Sequence, residues 1–554
     1  MLLLENSIED NRLSILDVPT GFRIELSLGP STASPAAVNV ARGWLQLCDS
    51  SHKNCHQWTH RYDDFRPTRL VDVGTNSRDV PRICEGASLP KGISYATLSH
   101  CWGGNVSMRL KKDNISTFRT GLPNGIPKTF ADAIQVGRAL GIRYLWIDSL
   151  CIIQDSPDDW RHESSRMASI YEHAWCGIAA TKAANSSEGL FSDRHPSTVR
   201  PVEVRAYWSG HQSKTYYLWM PDLWTANVDD AALMHRGWVT QEVVLSPRIL
   251  HFASGQIFWE CCSLRACETY PLGIPNNTSF KTSLDTRLLE RESFRTPALQ
   301  RYRLWQMYVE MYTASDLSLP KEDKLIAISG LAHKLGPPED YVVGLWKPIL
   351  TQQLRWQVVD DQATLQSDWR APSWSWASIN GKVYPETRRE PNAESTTRIV
   401  FDVLDVDVAL ATENPFGPVL YGELELRASL LRTTVYKSSH HPTSACSWLG
   451  DIHAHVKLDT RPIREGETLF CMPLNRNIDP DSPAVYGIVL EPTGERIGEF
   501  YRRGVWYVAN MRPAERWVER LDELLRIGSE SKDFGPLCGR LGDQAWKQYL
   551  LRLV

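Results

Sequence analysis

No apolar run in this 554-residue chain approaches the roughly 20 residues needed to cross a bilayer. The opening Met1-Leu2-Leu3-Leu4 breaks at Glu5, too early for a secretory signal, so neither export nor a membrane span is expected. Charge of one sign is lacking as well. With 61 basic against 65 acidic residues, the net −4 gives no electrostatic reason to expect nucleic acid or an anionic membrane as partner. The twelve cysteines are scattered rather than framed at short spacing, which reads as reduced thiols in a cytoplasmic protein. Neither G-x-G-x-x-G after a strand nor G-x-x-x-x-G-K-[ST] occurs, which argues against a Rossmann dehydrogenase or a P-loop ATPase but not against NAD+ as a substrate. No internal period of about 20–50 residues recurs, so repeat arrays are excluded.

The richest stretch is Gly141 to Thr181. Tyr144 to Ile147 is a short apolar run without alternation, as in a strand buried on both faces. Ser156-Pro157-Asp158-Asp159 reads as a helix start, with serine as cap and proline at the first helical position. Trp160, Met167, Ile170, Tyr171 and Ala174 then give that helix one apolar stripe. Gly177 to Ala180 is a further short apolar run. Upstream, Tyr95 to Ser99 is another strand, and Pro127 to Leu140 an amphipathic helix closed by Gly141. Strand, helix, strand, helix, strand predicts three parallel strands in one small doubly wound unit.

Such a sheet presents ligand sites at the C-terminal ends of its strands. Ser99, His100, Trp102 and Gly103 follow the first strand, and Asp148 and Ser149 follow the second. A third cluster is Arg236, Trp238, Gln241 and Glu242, within two helical turns. Arg and Glu amid tryptophan and aliphatics form either a structural ion pair or the polar groups of a pocket. The plainer alternatives are a tight glycine turn after the first strand, Asp148 capping its own turn, and Glu242 pairing with Arg236. Cys101 and Cys151 read as buried, inert thiols: His100 and Cys101 are adjacent on extended chain and point opposite ways, so His100 is poorly placed as a base. The 21 tryptophans read mainly as packing residues.

From Pro35 a helix carries Trp44, Leu45, Cys48 and His52, with Cys55-His56 just beyond. C-x3-H-x2-C-H invites a zinc reading, but those positions also share one helix face, and the paired C-x-x-C knuckles of structural sites are missing. No metal is therefore expected. The sequon Asn105-Val106-Ser107 means little in a protein that is not exported.

Tyr95–Gly104 (YATLSHCWGG), Pro127–Asp155 with its WIDSLCIIQD core, and Arg236–Glu242 (RGWVTQE) together resemble a fungal heterokaryon-incompatibility (HET) domain. Lys321 to Lys324, Ile328 to Ala332, Gly344 to Trp346, Ala371 to Ser378 and Gly487 to Arg503 resemble segments that usually follow. The resemblance implies an α/β fold: a small doubly wound, TIR-like parallel-sheet domain, followed by a larger mixed α+β region rich in strands. Expected boundaries are a leader at 1–35, a helical region at 36–92, the HET domain at 93–260, a helix-rich continuation at 261–395 and a β-rich region at 396–554. It also implies self/non-self recognition leading to cell death, with an incompatibility partner of unknown identity and self-association as trigger.

HET domains are similar in arrangement to TIR domains, some of which cleave NAD+. Here Trp238 and Glu242 resemble the TIR tryptophan–glutamate pair. On that reading Glu242 and Asp148 are the catalytic carboxylates. Ser99, His100, Trp102, Gly103, Ser149, Arg236, Trp238 and Gln241 bind substrate, and no cofactor is needed. Two alternatives stand beside it: a non-catalytic recognition scaffold acting by protein contacts, and an accessory protein of a secondary-metabolite locus.

Overall fold

A computed structural model describes residues 14–17, 28–53, 55, 65–104, 108–206, 214–275, 297–359, 363–365, 368–384, 397–437, 444–460, 466–477, 483–509, 514–527, 537–541 and 546–554. Most of the 1–35 leader, His56 and the 105–107 sequon lie outside them. The chain divides into two compact units, Met1–Arg291 and Glu292–Val554.

The first unit is built on an eight-stranded sheet. Its strands are β1 (Arg69–Asp72), β2 (Arg82–Glu85), β3 (Tyr95–Ser99), β4 (Tyr144–Ile147), β5 (Cys176–Ala179), β6 (Arg248–Phe252), β7 (Ile257–Cys261) and β8 (Arg265–Cys267), in spatial order β8-β7-β6-β5-β3-β4-β1-β2. The three predicted parallel strands are present, with β3 between β4 and β5. A fourth, β6, extends the parallel core, and antiparallel strands complete both sides. Every residue of β3, β5, β6 and β7 is buried, as in strands covered on both faces.

The helices are α1 (Pro35–Ser51), α2 (Lys128–Leu140), α3 (Pro157–Glu172) and α4 (Gly237–Leu245). α1 packs beside α2, and α3 against α4. The chain steps from β3 to β4 through α2, then back past β3 to β5 through α3. Right-handed crossovers in opposite directions place α2 and α3 on opposite faces. Gly141 ends α2 at φ 81°, its N–H bonded to the carbonyls of Arg138 and Gly137. One expectation is corrected at α3. Ser156 occupies the cap position, but its hydroxyl bonds no backbone amide of the first turn. Asp159 instead organises this end, accepting from Ile153 N (2.7 Å) and from Arg69 of β1 (2.6 Å).

In the second unit, helices at Pro297–Thr313 and Ile326–Leu335 accompany an eleven-stranded, almost wholly antiparallel sheet spanning 397–553. Alternating burial along Ile452–Leu458 marks a strand with one face covered. Tryptophan serves packing here: the indoles of Trp305 and Trp376 both donate to the Gly344 carbonyl at 2.8 Å. Gly344 has φ 87°, and a Cβ there would stand 2.7 Å from Trp376 Nε1. Among the described residues, no helix is long and apolar enough to cross a membrane.

A buried ion pair closes the far side of the first unit. Arg194 meets Glu268 through two contacts of 2.5 and 2.6 Å, and also donates to the carbonyls of Gly29 and Gly255. Glu268 in turn accepts from Ile257 N, at the start of β7. Arg194→Met strands that carboxylate, so a loss of about 3–5 kcal/mol is expected in urea unfolding. An unchanged midpoint would show that the pair is not holding these loops.

Candidate functional site

The register of the parallel strands places the site. Leu98 of β3 is level with Ile147 of β4, so Ser99 and Asp148 leave the sheet side by side. Ser99 is also level with Ala179 of β5. β4 turns at once into a short helix, Asp148–Cys151, and β3 runs into the His100-Cys101-Trp102-Gly103 loop. Gly103 takes φ 72°, and a Cβ on it would lie 2.6 Å from the Asn185 side chain.

Asp148 is held from two directions. The Trp102 indole donates to Oδ2 at 2.8 Å, and the Ser149 amide to Oδ1 at 2.6 Å. Its side chain keeps 17% of its exposure, so it is the carboxylate at the rim. Half-buried Trp102 stands beside it, with the Arg109 guanidinium 5.7 Å from its ring centre. Burial raises the Asp148 pKa, opposed by the charge of Arg236 and by the two donors.

Glu242 lies deeper. Carried by α4, it is 3% exposed and meets the Ser99 hydroxyl and the Tyr171 phenol. Its second oxygen, Oε2, has no hydrogen-bond partner. Desolvation raises its pKa, as does the neighbouring charge of Asp148, while Arg236, Ser99 and Tyr171 pull it down. Arg236 acts on both carboxylates. It caps α4 and donates from Nη1 to the His100 carbonyl, which fixes it against the β3 loop.

His100 is fully buried, edge-on to Phe130 at 5.0 Å, and neither ring nitrogen is hydrogen-bonded. Burial, then the Arg236 charge, lowers its pKa to about 3, so the ring is neutral at physiological pH. Its 3.8 Å approach to Asp148 is accordingly not an ion pair. Ser149 Oγ and Thr97 Oγ1 are likewise buried without partners.

Ser99, His100, Trp102, Asp148, Ser149, Arg236 and Glu242 therefore gather at one sheet edge. Gln241 is buried within α4, and Trp238 lies edge-on to Trp160 of α3 at 6.5 Å, a contact that helps pack the two helices. Tyr171, a direct partner of Glu242, is absent from the sequence-derived set because it sits on the apolar stripe of α3, where a tyrosine reads as packing. The cysteines nearby are inert in character. Cys101 Sγ contacts the Ala232 carbonyl at 3.7 Å, Cys151 Sγ accepts from Ile147 N at 3.5 Å, and burial pushes both thiols up. In the second unit a separate cavity of about 490 Å³ is lined by Trp369, Arg370, Asp459, Glu491 and Arg502 among others.

A family model described as heterokaryon incompatibility protein (HET) matches residues 95–242, from the first residue of β3 to Glu242. No curated protein and no solved structure matches the chain.

A carboxyl with a raised pKa in the fold binds its proton more tightly there than in the unfolded chain. Its contribution is complete below the ordinary value of 4.5 and is lost as pH rises through the raised value. Glu242→Gln reproduces the neutral form. We expect it to raise stability by about 1–2 kcal/mol near neutral pH, with the gain shrinking as pH falls toward 4.5. A destabilised variant at every pH would mean that the ionised carboxylate is a structural requirement.

Proposed function

With a heterokaryon incompatibility (HET) domain at residues 95–242 of this chain as the premise, we propose that the protein acts in fungal self/non-self recognition, inducing cell death by hydrolysis of NAD+ at the β3/β4 edge. The observation carrying this reading is the pairing of Glu242 with Asp148 beside Arg236. It sets two carboxylates of unequal depth at the C-terminal ends of parallel strands, one of them with an unpaired oxygen.

The reaction takes NAD+ and water to ADP-ribose, nicotinamide and a proton. The bond from ribose C1′ to the pyridinium nitrogen breaks, its electron pair leaves with nicotinamide, and positive charge develops on C1′ and the ring oxygen. A carboxylate offsets that charge and holds ribose hydroxyls, as in glycoside chemistry. Glu242 is assigned this role, with Oε2 as the ligand-facing oxygen. Arg236 lowers the proton affinity of Glu242 and so favours its ionised form despite burial. Asp148, nearer solvent, is assigned to receive the proton of the attacking water, and the Trp102 ring to stack against a base.

Glu242 is 3% exposed, so substrate has to displace groups around it, and self-association is the step we assign to that change. The same burial favours a second reading, in which the carboxylates are internal ties and the domain acts by protein contacts.

The test is NAD+ turnover by the purified chain at concentrations that permit self-association, beside Glu242→Ala. The expected result is turnover by the wild type and a fall of about 100-fold or more in the variant. Equal turnover by both removes Glu242 from the centre of the reaction. No turnover by either, with cell killing on expression retained, replaces hydrolysis by the contact-driven reading.

A further inference from the structure

We propose that Cys48, His52, Cys55 and Cys261 form a structural zinc site that fastens α1 to the end of β7. One donor atom from each residue falls in a cluster whose members all lie within 4.8 Å of one another. Donors around a tetrahedral zinc, at about 2.3 Å for sulfur and 2.0 Å for nitrogen, stand about 3.5–3.8 Å apart, so a small contraction completes the shell. The Cys261 Sγ–His52 Nδ1 separation is already 3.4 Å.

Local structure explains why these four meet. Cys48 is in the last turn of α1, and His52 is its C-cap, with its N–H directed to the Cys48 carbonyl. Cys55 follows by another turn, its N–H bonded to His52 O at 2.9 Å. A spacing of four and then three residues brings all three to one side of the helix end. The fourth donor comes from the final residue of β7, and Trp44 of α1 stacking on Trp259 of β7 at 6.2 Å sets the two elements face to face. The sequence reading had His56 as the fourth donor and no metal. His56 lies outside the described residues, and Cys261 is 209 positions from His52, beyond any motif spacing.

Three cysteines and one histidine are a structural zinc set, and thiolate-rich tetrahedral donors select zinc over hard cations. Cys48, Cys55 and Cys261 are completely buried, no disulfide joins them, and His52 is half-buried. Charge supplies a second, independent observation. Zn2+ with three thiolates carries one net negative charge, and the fully buried Arg248 guanidinium lies beside Cys48. Its ion partner Asp49, at 2.5 Å, is 44% exposed. A metal–thiolate centre gives this buried cation a second, buried counter-charge beside the partly exposed Asp49. Cys262, the next residue, contacts the Pro247 carbonyl at 4.0 Å and is not among the four.

The site would join a helix that precedes the family-matched segment to a strand that follows it, closing a loop over the whole domain. Elemental analysis of the purified full-length chain is expected to give about one zinc per chain. Cys55→Ala and Cys261→Ala are expected to lose at least about nine-tenths of it, and Cys84→Ala, at a thiol outside the cluster, to keep it. Because the first two variants are liable to misfold, the wild type is also exchanged with Co2+. The expected result is the intense visible spectrum of tetrahedral, thiolate-bound cobalt. Absence of stoichiometric metal, a Cys48–Cys261 or Cys48–Cys55 disulfide in peptide maps, an iron chromophore, or an octahedral cobalt spectrum would each overturn the proposal.

Discussion

Strand Tyr95–Ser99 has neither a face nor an edge open to water. β4 and β5 pair with it on both sides, and helices cover the sheet above and below. A strand so enclosed can meet polar chemistry only where it ends. Every candidate residue of the first unit follows from that constraint: Ser99 and His100 at the end of β3, Asp148 and Ser149 at the end of β4, and α4 laid across them with Glu242. Parallel pairing makes the three ends coincide, because a parallel register aligns C-termini with C-termini. In an antiparallel arrangement of the same segments, Ser99 and Asp148 would lie at opposite ends of the sheet.

Electrostatics then differentiate the groups assembled there. Burial alone would keep both carboxyls protonated and His100 neutral. Arg236 acts against the first tendency and with the second, drawing Asp148 and Glu242 down while depressing His100 further. One cation therefore serves two acids and no base. Asp148 is satisfied by Trp102 and Ser149, whereas Glu242 retains an open oxygen, so the deeper carboxylate is the less committed of the two.

Much of this was legible in the sequence, for physical reasons that differ by element. The unalternating run at Tyr144–Ile147 marks a strand buried on both faces, Tyr95–Ser99 reads as a strand, and Gly141 marks the end of α2; the structure places each within a residue. Strand-end logic likewise brought Asp148 beside Ser99. What was not legible depends on contacts distant in sequence. Tyr171 joins Glu242 from a helix stripe that reads as core, and Cys261 joins Cys48 from a strand that reads as core. Ser156 shows the local limit. A serine before a proline fits the cap position, yet Asp159 meets Ile153 and Arg69 more strongly than the hydroxyl could meet the first turn.

The buried polar groups of the first unit fall into two populations, and the difference bears on what each is for. Arg194 and Glu268 engage one another bidentately and bond to backbone on either side; Arg69 reaches Asp159 and the Cys151 carbonyl. Such saturated pairs specify how loops and helices join. At the ends of β3 and β4, by contrast, Ser149 Oγ, both nitrogens of His100 and Glu242 Oε2 are buried without a protein partner. Each such atom costs about 1–3 kcal/mol, and packing alone gives no reason to keep several in one place. Several of them fall together at the ends of β3 and β4, inside the family-matched segment, while others, such as the Glu163 carboxylate on α3 and the Trp259 indole on β7, lie elsewhere in the same unit. Saturated pairs fix how the elements of the frame join, and each unsaturated atom at the strand ends is a cost that the frame carries.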